Sequence, residues 1–327
     1  MSATPVLIAE ATPVLTAEGA PVEVPAPDPT IAPRWSEQLF TAFIVVTPIA
    51  ALAWAAQHFW HHGIGWFDLS LAIVLYAITG HGIALGFHRL FTHRSFKAHR
   101  WLRIALAVSG SMAVEGSLIG WVSNHRRHHV YSDQPGDPHS PLSFGQGFLP
   151  QLRGLGHAHM GWLFSGTQSN PEKWSRDLLA DPDMVMVSKL VPVWMALSLL
   201  VPFGLGWAVT QSITGALLAL LWAGGVRIAL LHHVTWSINS LAHMFGERPY
   251  KSNDHSGNIA WLAVFSFGES WHNTHHAFPA LARHGCDAGQ IDSSARLLRI
   301  FETMGWASKV RWPTPDQLAS RRILATP

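Results

Sequence analysis

Ile104-Ala105-Leu106-Ala107-Val108-Ser109-Gly110-Ser111-Met112-Ala113-Val114-Glu115-Gly116-Ser117-Leu118-Ile119-Gly120-Trp121 can be read in two ways, and the choice sets the topology of the whole chain. By hydropathy it is a crossing helix, close to the roughly 20 apolar residues that a bilayer requires. Against this, Arg103 precedes it, Glu115 interrupts it, and Ser and Gly are scattered through it. The flanking residues decide. Upstream stands His88-Arg89-Leu90-Phe91-Thr92-His93, with its histidines five apart. Downstream stands His125-Arg126-Arg127-His128-His129, with histidines at i, i+3 and i+4. The latter positions share one helix face. If the run crossed, the two clusters would face opposite sides of the bilayer and could not share a metal. On the premise that the clusters form one site, the run is expected to lie on, or dip into, the cytoplasmic side.

Two more clusters follow. Asn239-Ser240-Leu241-Ala242-His243 places its ends four apart, and Trp271-His272-Asn273-Thr274-His275-His276 repeats the i, i+3, i+4 pattern. Nine histidines and one asparagine thus fall in four short segments. Neutral imidazole binds iron, copper, nickel or zinc through one nitrogen. Nine exceed the four to six ligands of one ion and suit a dinuclear site. No carboxylate lies inside any box, unlike the Glu-x-x-His pattern of carboxylate-bridged bundles. An all-nitrogen redox pair is therefore expected.

Composition points to a membrane. The 327 residues are 48% hydrophobic and 13% charged, against about 25% charged in soluble domains. The 16 tryptophans suit an interface. A net charge of +2 gives no basis for nucleic-acid binding. Cys286 is the single cysteine, so an intramolecular disulfide and an all-Cys metal site are excluded; it reads as a small packed side chain.

Residues 1–33 form an Ala/Pro/Val/Thr-rich tail with a tandem octad, Ala3 to Glu10 and Ala11 to Glu18. Its prolines oppose helix and it lacks a cationic leader, so it is expected to be disordered and not a signal peptide. Residues 34–327 form the membrane domain. Its expected spans run about 39–60, 67–87, 184–207 and 208–231, as two helical hairpins. The first turn falls near His61 to Trp66 and the second at Pro202-Phe203-Gly204-Leu205-Gly206-Trp207. No Lys or Arg occurs between Thr41 and Phe87 or between Leu190 and Val226; Lys189 and Arg227 are placed at helix ends. The positive-inside rule then puts both termini and the central segment in the cytoplasm. The fold class is all-α: four transmembrane helices with a cytoplasmic helical cap that carries the histidines.

The ordered set of boxes resembles the membrane-bound fatty acyl desaturases, of the stearoyl-CoA (Δ9) type in a bacterial form. The match extends to Gly86-Phe87-His88-Arg89-Leu90-Phe91-Thr92-His93, Asp137-Pro138-His139-Ser140 and His159-Met160-Gly161-Trp162-Leu163. It also includes Thr235-Trp236-Ser237-Ile238-Asn239-Ser240 and Gly268-Glu269-Ser270-Trp271-His272-Asn273. It covers roughly residues 40–310, without a fused cytochrome b5-like domain. The resemblance implies two iron ions held by His88, His93, His125, His128, His129, His243, His272, His275 and His276, with Asn239 holding one through water. It implies a cell-membrane enzyme that forms a cis double bond, with O2 as co-substrate and two electrons from a separate ferredoxin or flavin/iron–sulfur reductase. The substrate it implies is a fatty acyl chain, carried by CoA. Trp121, Thr235 and Trp236 match residues that line and bend the acyl tunnel.

Other matches are partial. Glu115 stands where the animal enzymes have Gln, and Ser123-Asn124 replace an Arg-Asp pair that helps hold CoA. Arg126, Arg127, Arg153, Lys173 and Arg176 are the substitute phosphate holders, with a solvated basic face as the alternative. His81 is expected to face the bundle interior, His232 and His233 to lie beside the ligands, and His58, His61 and His62 to lie at the opposite interface. His139, His157 and His159 match motif surroundings. Alternatives within the superfamily are an acyl-lipid desaturase or a hydroxylase, since the same oxidant can return oxygen to the substrate. A metal transporter would place ligands near the midplane of its spans, where only His81 falls.

Overall fold

The computed structural model describes residues 35–165 and 168–323. The expected tail and its octad repeat lie outside the described residues.

Four helices are long and apolar enough to cross a bilayer: Gln38–His62, Trp66–Thr92, Val191–Thr210 and Ile213–His243. The first pair is joined at Gly63–Gly65, with Gly63 in the left-handed region at φ 72°, where the sequence placed the turn. The second pair differs from expectation. Met184 to Lys189 belong to a separate short helix, Pro182–Lys189, whose first turn is capped by the Asp181 carboxylate. The third span begins only at Val191, with Pro192 in the first turn, where its missing N–H costs nothing. The expected turn at Pro202–Trp207 is helix. The reversal comes at Gln211, left-handed at φ 48°, whose N–H caps the Trp207 carbonyl at 2.8 Å. Gly206 serves packing instead: a Cβ there would sit 2.5 Å from the Ala219 Cβ, so the two spans touch closely.

The run from Ile104 to Trp121 does not cross. Arg100–Ser111 is helical for 12 residues, about 18 Å at 1.5 Å per residue and short of the roughly 30 Å hydrocarbon layer. Val114 (φ 65°) and Gly116 (φ 101°) then reverse the chain. Ser117 caps the next helix, Leu118–Tyr131, by accepting from the Gly120 N–H at 3.1 Å. Arg100–Ser111 packs into the second span at glycines: a Cβ on Gly82 would lie 2.2 Å from the Gly110 nitrogen. Leu102, Leu106, Leu118 and Val122 are buried in the same core as Leu85, Phe87 and Leu298.

Arg227, expected at a helix end, sits inside the fourth span, which runs unbroken to His243. It is 2% exposed. Its guanidinium donates to the Ala223 and Met112 carbonyls at 3.0 and 3.2 Å, to the Ser198 carbonyl and hydroxyl at 3.1 and 2.7 Å, and to the Thr79 hydroxyl at 3.5 Å. One residue thus ties the second, third and fourth spans to the reversal at Met112. The cation is satisfied by neutral oxygens rather than by a counter-ion.

Candidate metal centre

The second span ends in a widened turn, Gly82–Thr92, with the i→i+5 hydrogen-bond pattern of a π-helix. The His93 N–H closes it on the His88 carbonyl at 3.1 Å. A spacing of five, awkward on an α-helix, brings residues together on this wider one; the two rings lie 4.8 Å apart. His125, His128 and His129 project from Leu118–Tyr131, and His272, His275 and His276 from the buried helix His272–Ala277. His243 sits in the last turn of the fourth span.

The nine rings sort into two sets. Ring nitrogens of His88, His93, His125, His129 and His275 all lie within 4.8 Å of one another, as do those of His128, His243, His272 and His276. Both i, i+3, i+4 boxes divide between the sets, so each helix serves both. Nε2 of His275 approaches Nε2 of His88 at 3.0 Å and of His129 at 2.9 Å, and His129 approaches His125 at 3.1 Å. In the other set His243 and His272 meet at 3.0 Å. Adjacent donors around an ion at about 2.1 Å stand roughly 3.0 Å apart in octahedral geometry. Nε2 of His93 and of His276 are buried without a hydrogen-bond partner. Both observations fit a bound ion in each set.

Carboxylates outside the boxes orient the rings. Nδ1 of His128 donates to both oxygens of Asp137 at 3.0 Å, and Nδ1 of His243 to Asp133 at 3.0 Å. Nδ1 of His88 is paired with Glu269 and Nδ1 of His276 with Asp254. Each contact fixes a tautomer that turns the Nε2 lone pair inward. Burial alone would raise the Asp133 carboxyl; the hydrogen bond and charge of His243 hold it at about 2. Burial, then repulsion among the imidazoles, pushes His93, His125, His129, His272 and His275 well below the usual histidine range, so they are neutral at pH 7, as ligands must be. Glu269 and Asp292 also neutralise Arg89, which has no solvent exposure; Arg89 meets Asp292 at 3.0 Å.

These carboxylates were not assigned roles from the sequence, although Asp137 and Glu269 lie in quoted motifs. His284 was missed altogether. Its ring is 1% exposed and stands 4.6 Å from that of His275, with Arg89 and Glu269 against its Nδ1. His139 stacks on His128 at 4.3 Å. His159 bonds His233 at 2.9 Å, away from both sets. His81 turns its Nδ1 to the Ala77 carbonyl and packs on Phe267. His232 donates to the Ala113 carbonyl. Asn239 is outside both histidine sets but lines the adjoining cavity.

That cavity, about 450 Å³, has His88, His125 and His272 in its lining. Trp121, Thr235 and Trp236 are in its wall, together with Ile44 and Val45 of the first span. Glu115 joins two of them, accepting from the Trp121 Nε1–H at 3.2 Å and from the Thr235 hydroxyl at 2.8 Å. An apolar slot lined in part by imidazoles of both clusters suits oxidation of an alkyl chain.

Comparison with known proteins agrees. Residues 64–290 match the family described as fatty acid desaturase. The chain is 38% identical to the hex-5-enoyl-[acyl-carrier protein] acetylenase of Moorena producens (strain JHB) over 286 residues, 87% of this chain and 89% of that protein. It is 39% identical to Delta-9 acyl-lipid desaturase 1 of Arabidopsis thaliana over 252 residues, 77% of this chain and 78% of that one. It is 36% identical to the sn-1 stearoyl-lipid 9-desaturase of Anabaena variabilis over 250 residues, 75% of this chain and 85% of that one. With its mostly helical fold, four membrane-spanning helices and paired histidine clusters, the chain belongs to the fatty acid desaturase family and is an oxidoreductase.

Proposed function

We propose that this desaturase places a cis double bond, at Δ9, in a saturated chain using two irons. One is held by His88, His93, His125, His129 and His275, the other by His128, His243, His272 and His276 with Asn239 through water. The observation that carries this reading is the division of nine imidazoles into two sets of close nitrogens beside one apolar cavity. Bound iron supplies the redox chemistry, O2 reduction coupled to hydrogen abstraction from unactivated C–H bonds. The chain supplies position: Trp121, Thr235 and Trp236 hold the acyl chain so that one carbon pair lies near the histidines.

For the carrier, a membrane lipid fits better than CoA. Arg126 is bound to Asp177 at 2.6 Å and to the Phe91 and Trp174 carbonyls, Arg127 to the Gly136 carbonyl, and Arg176 to the Glu172 carbonyl. Among the described residues no Lys or Arg lines the cavity. Two of the relatives above are acyl-lipid desaturases by name. A second reading keeps acyl-CoA, with Arg153 and Lys173 on the phosphates.

The test is expression of the chain and of His275→Ala, with fatty acids analysed by mass spectrometry. The intact chain adds a Δ9 bond and the variant adds none. Feeding purified enzyme with stearoyl-CoA or with distearoyl lipid decides the carrier. A hydroxylated product, or no product with a competent donor present, refutes the assignment.

A further inference from the structure

The reaction assigned to the site does not balance on substrate and O2 alone. Converting –CH2–CH2– to –CH=CH– releases two electrons and two protons, while reducing O2 to two waters takes four of each. Two electrons and two protons must therefore come from outside, and the electrons need an entry point.

Behind the first histidine pair the surface is concave and basic. A recess of about 520 Å³ is walled by Arg94, Lys97, Arg103 and Arg311, with Leu90 and Phe91 in its lining and Asp177 as its one carboxylate. Asp177 meets Arg94 at 2.7 Å but is already held by Arg126 at 2.6 Å, so one carboxylate serves two guanidiniums. Arg103 is paired with Asp181. Lys97 and Arg311 are exposed and have no ion pair among the described residues, and exposed Lys309 adjoins them. The face is therefore strongly positive. It is also rigid. Lys97–Ala98 pairs with Ala307–Ser308 as an antiparallel ribbon, and the Arg311 N–H bonds the Ser95 carbonyl at 2.9 Å.

Its location is specific. Leu90 and Phe91 stand between His88 and His93 in the chain, and Arg94 directly follows His93, so the recess backs onto the first histidine set. The recess and the acyl cavity have no lining residue in common. The second span has 27 residues, about 40 Å of helix, against roughly 30 Å of hydrocarbon. Arg94 lies beyond its histidine-bearing end, on the water side.

We infer that the face formed by Arg94, Lys97, Arg103 and Arg311 docks a one-electron carrier protein with an acidic surface, which delivers electrons beside His93. The inference rests on the proposed redox site. Opposite charge across such a contact steers encounter and makes it salt-dependent. The carrier can dock while substrate occupies the cavity.

The test uses the full chain in nanodiscs of neutral phosphatidylcholine, with a reduced acidic [2Fe–2S] ferredoxin as probe. In the Lys97→Glu/Arg311→Glu variant, ferredoxin affinity by titration falls about tenfold or more and its salt dependence flattens. Ferredoxin-driven desaturation falls in step, while the single turnover of protein reduced anaerobically with dithionite and methyl viologen, freed of reductant and then given O2, is unchanged. Lys97→Gln/Arg311→Gln gives an intermediate loss. Unchanged ferredoxin affinity in the reversed variant, or an effect confined to binding of phosphatidylglycerol vesicles, overturns the inference and, in the second case, makes the face a membrane contact. Absence of product from that chemically reduced single turnover in the intact protein refutes the redox site itself, a distinct failure.

Discussion

Glu115 has two donors aimed at its carboxyl, Trp121 Nε1–H and the Thr235 hydroxyl, and no ion pair among the described residues. Burial outweighs both hydrogen bonds and lifts its pKa to about 7. A carboxyl raised in the fold above its unfolded value binds more protons folded than unfolded between the two. Stability therefore falls as pH rises from about 4.5 to about 7, and is flat above that. A shift of this size corresponds to about 3 kcal/mol. Glu115→Gln keeps one acceptor for Trp121 and offers an amide donor to the Thr235 oxygen. It should raise the melting temperature at pH 8 and remove a step near pH 7 from the Tm–pH profile; an unchanged profile would mean that Glu115 does not titrate there. A second carboxylate acts through its neighbour. Asp137→Asn retains shape but removes the charge facing His128, and iron retention against a chelator should fall about 10–100-fold; full retention would make Asp137 a packing residue. The histidines were legible because they fall in four short segments, two of which share the i, i+3, i+4 spacing. Asp133, Asp254 and His284 were not, since each reaches the site from a loop with no periodicity to mark it.

At the scale of the element, the decisive feature is a helix that stops. Hydropathy and the ligand argument disagreed over Ile104 to Trp121, and the sharing of metal ligands gave the right answer. The physical stop, left-handed Val114 and Gly116, is backbone geometry that apolar side chains conceal. The third span was misplaced for a related reason: Pro202 and the glycines after it look like a turn, but Gly206 makes room for the fourth span. Gly82 has the same task toward Arg100–Ser111. Gly82→Ala puts a Cβ against the Ser109–Gly110 backbone, which has no flexible side chain to give way, and should cost about 3 kcal/mol. Gly204→Ala, with nothing within 4 Å of the added Cβ, is the control and should be neutral or slightly stabilising. Thermal unfolding in detergent distinguishes them, and equal melting temperatures would show that the helix can move away from the second span.

For the whole molecule, four crossings return the chain to its starting side, and that parity constrains the site. The second and fourth spans deliver His88 and His243 at their ends, and the loops that follow bring the rest to the same level. The centre therefore shares a side with Trp35 and Ile323, the outermost described residues, whichever side that is. Charge gives the expected direction, which a labelling experiment tests. Lys and Arg are absent between Thr41 and Phe87, so the turn at His61 to Trp66 is the part that a membrane potential lets pass. Arg227 does not disturb this, being buried at depth on neutral oxygens. Orientation can be read with single cysteines in a Cys286→Ser background. His61→Cys, at the exposed end of the first span, should react with an impermeant maleimide on intact cells. Ser308→Cys, exposed on the two-stranded ribbon, should react only after permeabilisation. The reverse pattern would keep the architecture but invert it, placing the histidines outside. Labelling of both from one side would break the parity, because His61 and Ser308 could then no longer be separated by an odd number of crossings.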